Sequence, residues 1–461
     1  MANYNPTTVE GLESSLLDTY GNLRVSNSVT ILDITHANGD QQYFYESIHD
    51  ATTDGSTIDY QSDGGVKLSV NGTNIAEQVR IQSKKILAFE QGKSLCLYMS
   101  CVMNNGSNNS HDLDSNDLGV STIAGFMDDT AGLYFQHDGD HEEDNEDDEV
   151  DSIGTIGTMS IRISGQGAII INQDEWNIDK FDGSGPSTIT ANWAEMNNFY
   201  IEVSWPVMVR FGLLIHGKLC MAHAIYNSTG STAIFALRDL PVRYGISGST
   251  GDSGSMKHYS TLVSSETRYN PLGRILCLKL PSEIPIIANE ERPILTLRIG
   301  GDSNGNVLYR STVIPLALTL TSRDDSKTLY NIYYVRSNNA GTVLDPVSLV
   351  PIYYNGIIVA NSAFTNIAGS NCQYYLGGSG LNTSLTYPNI FTVYKGYFKD
   401  SIDLDFNKII HKYNAFFELS SDIHDLSDYL IITAQLNRGM GSKMIDGILT
   451  WKEIIHDYNA P

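Results

Sequence analysis

Phe199-Tyr200-Ile201-Glu202-Val203-Ser204-Trp205 places Phe199, Ile201, Val203 and Trp205 at one parity and Tyr200, Glu202 and Ser204 at the other. Side chains of a strand point alternately to its two faces, so a period of two predicts a half-buried strand. The same alternation runs through Met159-Ser160-Ile161-Arg162-Ile163-Ser164, Val66-Lys67-Leu68-Ser69-Val70, Leu95 to Met103 and Leu295-Thr296-Leu297-Arg298-Ile299, with clusters of Gly, Asn and Asp between. Short strands joined by turn residues predict a mainly β chain of two antiparallel, jelly-roll-like β-sandwich domains. Few short helices are expected, the best candidate being Phe406, Ile409, Ile410, Tyr413, Phe416 and Phe417 behind Asp405 as N-cap. Leu12, Leu16 and Leu17 make a weaker one.

Composition agrees with strands and turns. The 461 residues are 41% hydrophobic, enough for two or three cores and too much for a disordered chain. Charged residues make up 18%, below the usual value of roughly 25%. A formal charge of −24 argues against partners whose phosphates must be neutralised, so neither nucleic acid nor an anionic membrane is expected as a partner. The five cysteines, Cys96, Cys101, Cys220, Cys277 and Cys372, are odd in number and show no zinc spacing. Cys96 and Cys101 lie in one predicted strand on opposite faces and cannot bridge locally, which fits synthesis in a reducing compartment. Met1 to Pro6 lack a basic stretch leading into an apolar core, and no apolar run approaches about 18 residues, so no secretion signal or membrane span is expected.

The Gly- and Ser-rich stretch Gly245 to Met256 suggests a domain boundary. It divides the chain into an arm with the first strands (residues 1–40), a β-sandwich (41–250) and a second β-rich domain (251–461). His137 to Asp151 holds ten acids and no Lys or Arg, the pattern of a solvated loop; it lacks the Gly turn and ligand spacing of an EF-hand calcium site.

The motifs of the common enzyme classes are absent: no GxSxG, HExxH or Walker loop, and no GxGxxG opening a helix. Gly377 to Gly380 and Gly300 to Gly305 read as hairpin turns. His36, His49, His216, His223, His258, His411, His424 and His456 are scattered and form no i, i+2 or i, i+4 ligand pair, so neither a metal nor a cofactor is expected. The densest patch of functional character is Asp174-Glu175-Trp176-Asn177-Ile178-Asp179-Lys180-Phe181-Asp182-Gly183-Ser184-Gly185-Pro186-Ser187. Two of its carboxylates about 5 to 5.5 Å apart would suffice for retaining glycoside hydrolysis. The competing and favoured reading makes Trp176 and Phe181 buried anchors, with Asp179 and Asp182 accepting backbone N–H groups in a turn closed by Gly183. The pairs Tyr333-Tyr334, Tyr353-Tyr354 and Tyr374-Tyr375 each offer one ring to either side of a strand, suiting an interface or a sugar.

Trp176 to Gly185, Trp205, Val209-Arg210-Phe211-Gly212, Gly217, His223 and Pro241-Val242-Arg243-Tyr244 together resemble a family of virion structural proteins of large DNA viruses and tailed phages. Tyr20 to Ser26, Arg292 to Arg298 and Trp451 to Ile454 extend the resemblance over nearly the whole chain. Pro206-Val207-Met208 departs from the Leu-Gly-x-Gly of the family pattern after its second Trp. The resemblance implies a non-enzymatic particle component of capsid, tail or fibre, assembled in the host cytoplasm, with other virion proteins as partners. It carries over no catalytic residue. A homo-oligomer, a trimer first, is expected, with a host surface glycan or receptor as a further partner. The alternative is a glycan-binding or glycan-hydrolysing sandwich in which Trp176, Trp205 and the Asp174 to Asp182 carboxylates line a groove at one edge; Trp176, Asp179, Asp182, Gly183, Trp205 and Arg210 are the candidate residues for the structural motif or for glycan contact. That groove requires both tryptophans to be exposed.

Overall fold

A computed structural model of the chain describes residues 28–37, 39, 44–49, 56–72, 77–103, 108–109, 120–138, 158–164, 168–227, 239–248, 252–266, 271–280, 284–287, 291–300, 311–322, 327–335, 353–354, 357–358, 364–376, 390–413, 418–420, 427–436 and 442–456. The chain divides into two units, Met1–Pro271 and Leu272–Pro461.

In the first unit a nine-stranded sheet runs Lys218–Tyr226, Met208–Ile215, Asn197–Ser204, Leu95–Val102, Asp252–Ser265, Val66–Val70, Thr57–Tyr60, with Val29–Thr35 and Asn108–Asn109 also on Asp252–Ser265. A seven-stranded sheet runs Ile169–Asn172, Thr158–Ser164, Gly132–Asp138, Ser121–Met127, Val242–Gly248, Glu77–Ser83, Tyr45–His49. The central pairings are antiparallel. Alternation places Phe199 opposite Met99 and Leu213, and Ile201 opposite Leu97 and Phe211, so whole rows of apolar side chains share one face. They meet Phe126, Phe135, Ile161 and Tyr244 of the other sheet in one core, which makes the unit a β-sandwich. Phe135 touches Phe199 and Phe211 with ring centroids 4.9 and 5.4 Å away. Each such ring contributes about 1.5–3 kcal/mol by leaving water.

One polar clasp crosses this core. His36, just after Val29–Thr35, places Nε2 2.6 Å from the Tyr244 hydroxyl and Nδ1 3.1 Å from that of Tyr45. His258 stacks on Tyr244 with centroids 3.7 Å apart. Burial pushes the Tyr244 hydroxyl well up and the His258 imidazole well down, so both are neutral.

The second unit pairs a five-stranded sheet, Arg274–Lys279, Ser442–Ile455, Ser311–Ser322, Ser401–Asp405 with Ile284–Ile287 on Ser442–Ile455, with a six-stranded one, Thr365–Asn366, Cys372–Tyr375, Arg292–Ile299, Tyr429–Leu436, Thr328–Val335, Ile390–Phe398. Leu449 and Trp451 of the first and Leu297, Ile332 and Ile432 of the second share its core. The expected helix is Phe406–Tyr413, with the Asn407 N–H donating to Asp405 Oδ1 at 3.0 Å and Phe406 and Ile409 buried. Among the described residues no helix is long and apolar enough to cross a membrane.

The boundary expected at Gly245 to Met256 is corrected: the division falls between Pro271 and Leu272. Val242–Gly248 and Asp252–Ser265 are strands of the first unit's two sheets. The small residues are there for space, since a Cβ on Gly245 would lie 2.6 Å from the Val79 carbonyl oxygen and one on Gly254 3.1 Å from Val120. Residues 1–27, 139–157, 301–310 and 377–380 lie outside the described residues, and with them the candidate N-terminal helix, nearly all of the acidic segment, the stretch 377–380 and all of 300–305 but Gly300.

Candidate functional site

The patch singled out in the sequence folds as a strap on the margin of the nine-stranded sheet. Between Met208–Ile215 and Lys218–Tyr226 the register runs Phe211 to His223 and then Gly212 to Met221, leaving Ala222 as a bulge. The Ala222 carbonyl accepts the N–H groups of Ile178 and Asp179 at 3.1 and 3.0 Å. Asn177 works like a strand residue: its side chain donates to the Ala224 carbonyl at 2.8 Å and accepts the Ala224 N–H at 3.0 Å. The Asn177 N–H donates to His223 Nδ1 at 3.0 Å. Burial brings that imidazole down to about 4, so it is neutral at pH 7 and able to accept.

Asp179 is buried, and both of its oxygens are used: Oδ1 accepts the Phe181 N–H at 2.9 Å and Oδ2 the Ser187 N–H at 2.7 Å. Gly185 leaves room for this carboxylate, which a Cβ would strike. Asp182 is exposed; its Oδ1 accepts the Ser184 N–H at 2.8 Å and hydroxyl at 2.5 Å, which hold it below the usual carboxylate range. Gly183 follows at φ +85°, the left-handed region that glycine enters without strain. Trp176, 3% exposed, packs edge-on to Phe135, Phe181 and Trp193 and cannot stack on a sugar. Trp205 is half-buried. Trp176 and Asp179 are thus closed within the strap, as anchor and turn residues, while Trp205 is half-buried and Asp182 exposed.

Arg210 pairs with a carboxylate of its own sheet. It sits directly opposite Glu202 on the neighbouring strand and donates to Glu202 Oε2 from Nε at 3.0 Å and Nη2 at 2.5 Å, while the Tyr200 hydroxyl donates to the same oxygen at 2.7 Å. Cys96, Glu202 and Glu266 bring one ligand atom each within 4.8 Å of one another. A thiolate and two carboxylates suit a zinc ion by type, but the Arg210 guanidinium already compensates Glu202 and opposes a second cation there.

The outward face of the seven-stranded sheet has the opposite character. Pairing aligns Arg162, Tyr134, Gly125, Arg243, Gln82 and Glu46 in one row across six strands. The Tyr134 ring fills the space a side chain on Gly132 would take, and the stem of Arg80 fills that above Gly245. Arg80 and Arg243 both donate to Asp129 Oδ1, at 3.3 and 2.6 Å. Burial and the Arg243 charge lower the Arg80 pKa. Arg162 donates to Asp138 Oδ2 at 3.2 Å, and Gln136 to Asp138 Oδ1 at 2.6 Å. Neither Tyr134 nor Arg80 belongs to a motif, and Arg243 stands out only within Pro241-Val242-Arg243-Tyr244. The available signal was glycine within strands at 125, 132 and 245, which marks close approach of other groups.

No family model and no curated protein matches the chain. Similar solved structures include a Bacillus licheniformis β-glucanase (9% identity, 53% of this chain and 100% of that one, TM-score 0.30). Peanut lectin is another (10%, 52% and 98%, TM-score 0.28). A third is the CBM2 module of the evolved Dit of Lactobacillus casei BL23 phage J-1 (9%, 53% and 99%, TM-score 0.34).

Proposed function

We propose that this protein is a non-enzymatic, glycan-binding component exposed on a virus particle, assembled with copies of itself and other particle proteins. The observation that carries the reading is the contrast in how carboxylates are used. In the strap the carboxylates of Glu175, Asp179 and Asp182 accept backbone N–H groups, as those of turn residues do. Those on the seven-stranded sheet lie on a polar, half-exposed face beside Tyr134. Sugars are recognised by planar polar side chains, which both donate and accept, next to an aromatic face. The place on a particle rests on the sequence resemblance. Two measurements test the proposal together: mass spectrometry of purified particles should find the chain, and the chain should retain glycans without cleaving them. Hydrolysis of a bound oligosaccharide that Asp179→Asn abolishes would overturn it. A self-assembly interface of more than about 1,000 Å² is expected for the oligomer.

A further inference from the structure

Resting on the glycan-binding reading, we infer that the outward face of the seven-stranded sheet is the binding platform, that Tyr134, Arg80 and Arg162 make the contacts, and that the ligand is an uncharged glycan chain. Three features lead there.

The first is flatness. Tyr134 and Arg80 lie down into gaps left by Gly132 and Gly245 instead of standing off the sheet. A side chain at either glycine would lift them, so the surface between Arg162 and Arg80 is levelled by glycine at the positions where bulk would break it.

The second is spare hydrogen-bonding capacity. The Tyr134 hydroxyl has no hydrogen-bond partner among the described residues, and Arg80 uses only Nη1. Arg162 uses Nε on the Ser160 hydroxyl and Nη2 on Asp138, leaving Nη1. The side chains of Arg80 and Arg162 are 25% and 23% exposed, buried enough to be held in place and open enough to be reached. Positioned donors bind without the entropy loss of ordering a free arginine. Adjacent sugar hydroxyls can accept from a guanidinium and donate to the carboxylate beside it, and each arginine here has such a carboxylate.

The third is charge. Arg80, Arg162 and Arg243 are balanced on this face by Asp129, Asp138 and Glu46, and Glu46 accepts from Gln82 at 3.2 Å. A uronate or sialate would set its own negative charge beside these carboxylates while approaching a chain of net charge −24. A neutral glycan pays neither penalty.

The test is a glycan array carrying neutral and acidic oligosaccharides, probed with the full chain, followed by titration of the best ligand. Neutral glycans should be retained, with affinity changing less than about twofold between 50 and 500 mM NaCl, since no net charge is neutralised. Tyr134→Ala and Arg80→Ala should each weaken binding by about tenfold or more, as loss of a central aromatic or arginine contact does. Tyr134→Phe, which keeps the ring, should stay within about threefold. Asp182→Ala, on the strap, should bind as the wild type does. Circular dichroism and thermal melting establish that each variant folds. Retention of acidic glycans in preference to neutral ones, or wild-type binding by folded Tyr134→Ala and Arg80→Ala, would overturn the inference and leave the glycan-binding function standing. Failure of the wild type to retain any glycan would overturn both.

Discussion

Each unit carries a buried arginine facing a glutamine on the neighbouring strand: Arg243 opposite Gln82 in the first, Arg298 opposite Gln373 in the second. In both, Nε and Nη2 converge on one amide oxygen, from Nε at 2.8 Å in the first pair and 3.0 Å in the second. What lies above the two arginines differs. The Phe364 ring covers Arg298, with centroid 3.9 Å from Cζ, and the Tyr429 hydroxyl sits 3.5 Å from Nη1. Arg243 instead meets Asp129, whose side chain is 53% exposed. The same cross-strand pair is thus roofed by aromatic rings in one unit and edged by a solvated acid in the other. A motif of sequence cannot distinguish these roles; only what packs above the pair decides whether it holds the fold together or faces outward.

Arg298→Ala should break the roofed pair at the largest cost, roughly 3–4 kcal/mol, from two hydrogen bonds of a charged group and a desolvated cation–π contact. Arg243→Ala should cost about 2 kcal/mol, because Asp129 can turn to water when its partner goes. Urea unfolding of both variants gives the difference, and equal costs would erase the contrast between the units.

Acid supplies the next effect, and it acts on the first unit. His223 has its folded pKa lowered to about 4, so below about pH 6.5 the unfolded chain takes up a proton that the folded chain refuses. Stability should fall as the pH drops from 6.5 to 4, by up to about 1.4 kcal/mol per pH unit and about 3 kcal/mol in all. His258, lowered by burial, adds in the same direction. Denaturant midpoints measured at pH 7, 5.5 and 4.5 would show it; His223→Gln should flatten the slope, and an unchanged slope would mean that the imidazole is not held neutral by the strap.

Asp179→Ala should cost about 2 kcal/mol by orphaning the N–H groups of Phe181 and Ser187, and Asp179→Asn less because one acceptor remains. Differential scanning calorimetry resolves both. The smallest effect is expected of Asp182→Ala, whose carboxylate is exposed: no measurable change in melting temperature, with the local turn loosened around Ser184.

The strands at Phe199 to Trp205 and Met159 to Ser164 were legible because a period of two and one-sided burial are the same constraint written twice. The turn roles of Asp179 and Asp182 were legible too, since short acids before Gly are local chemistry and need no knowledge of the distant chain. The row across the seven-stranded sheet was not. Arg243 and Gln82 stand 161 residues apart, and only strand order and register bring them together. The domain boundary was misplaced for a related reason: Gly245 and Gly254 read as loop residues, whereas neighbouring backbone and side chains crowd them within strands.

Asn177 has a consequence beyond its own strap. By occupying both hydrogen-bonding groups of Ala224, with Ile178 and Asp179 taking the Ala222 carbonyl, it blunts the rim of Lys218–Tyr226 where an unguarded strand would invite another chain to zip on. Copies of the chain that meet at that rim are thereby kept from joining into continuous ribbons, and side-chain surfaces are left to govern any contact there.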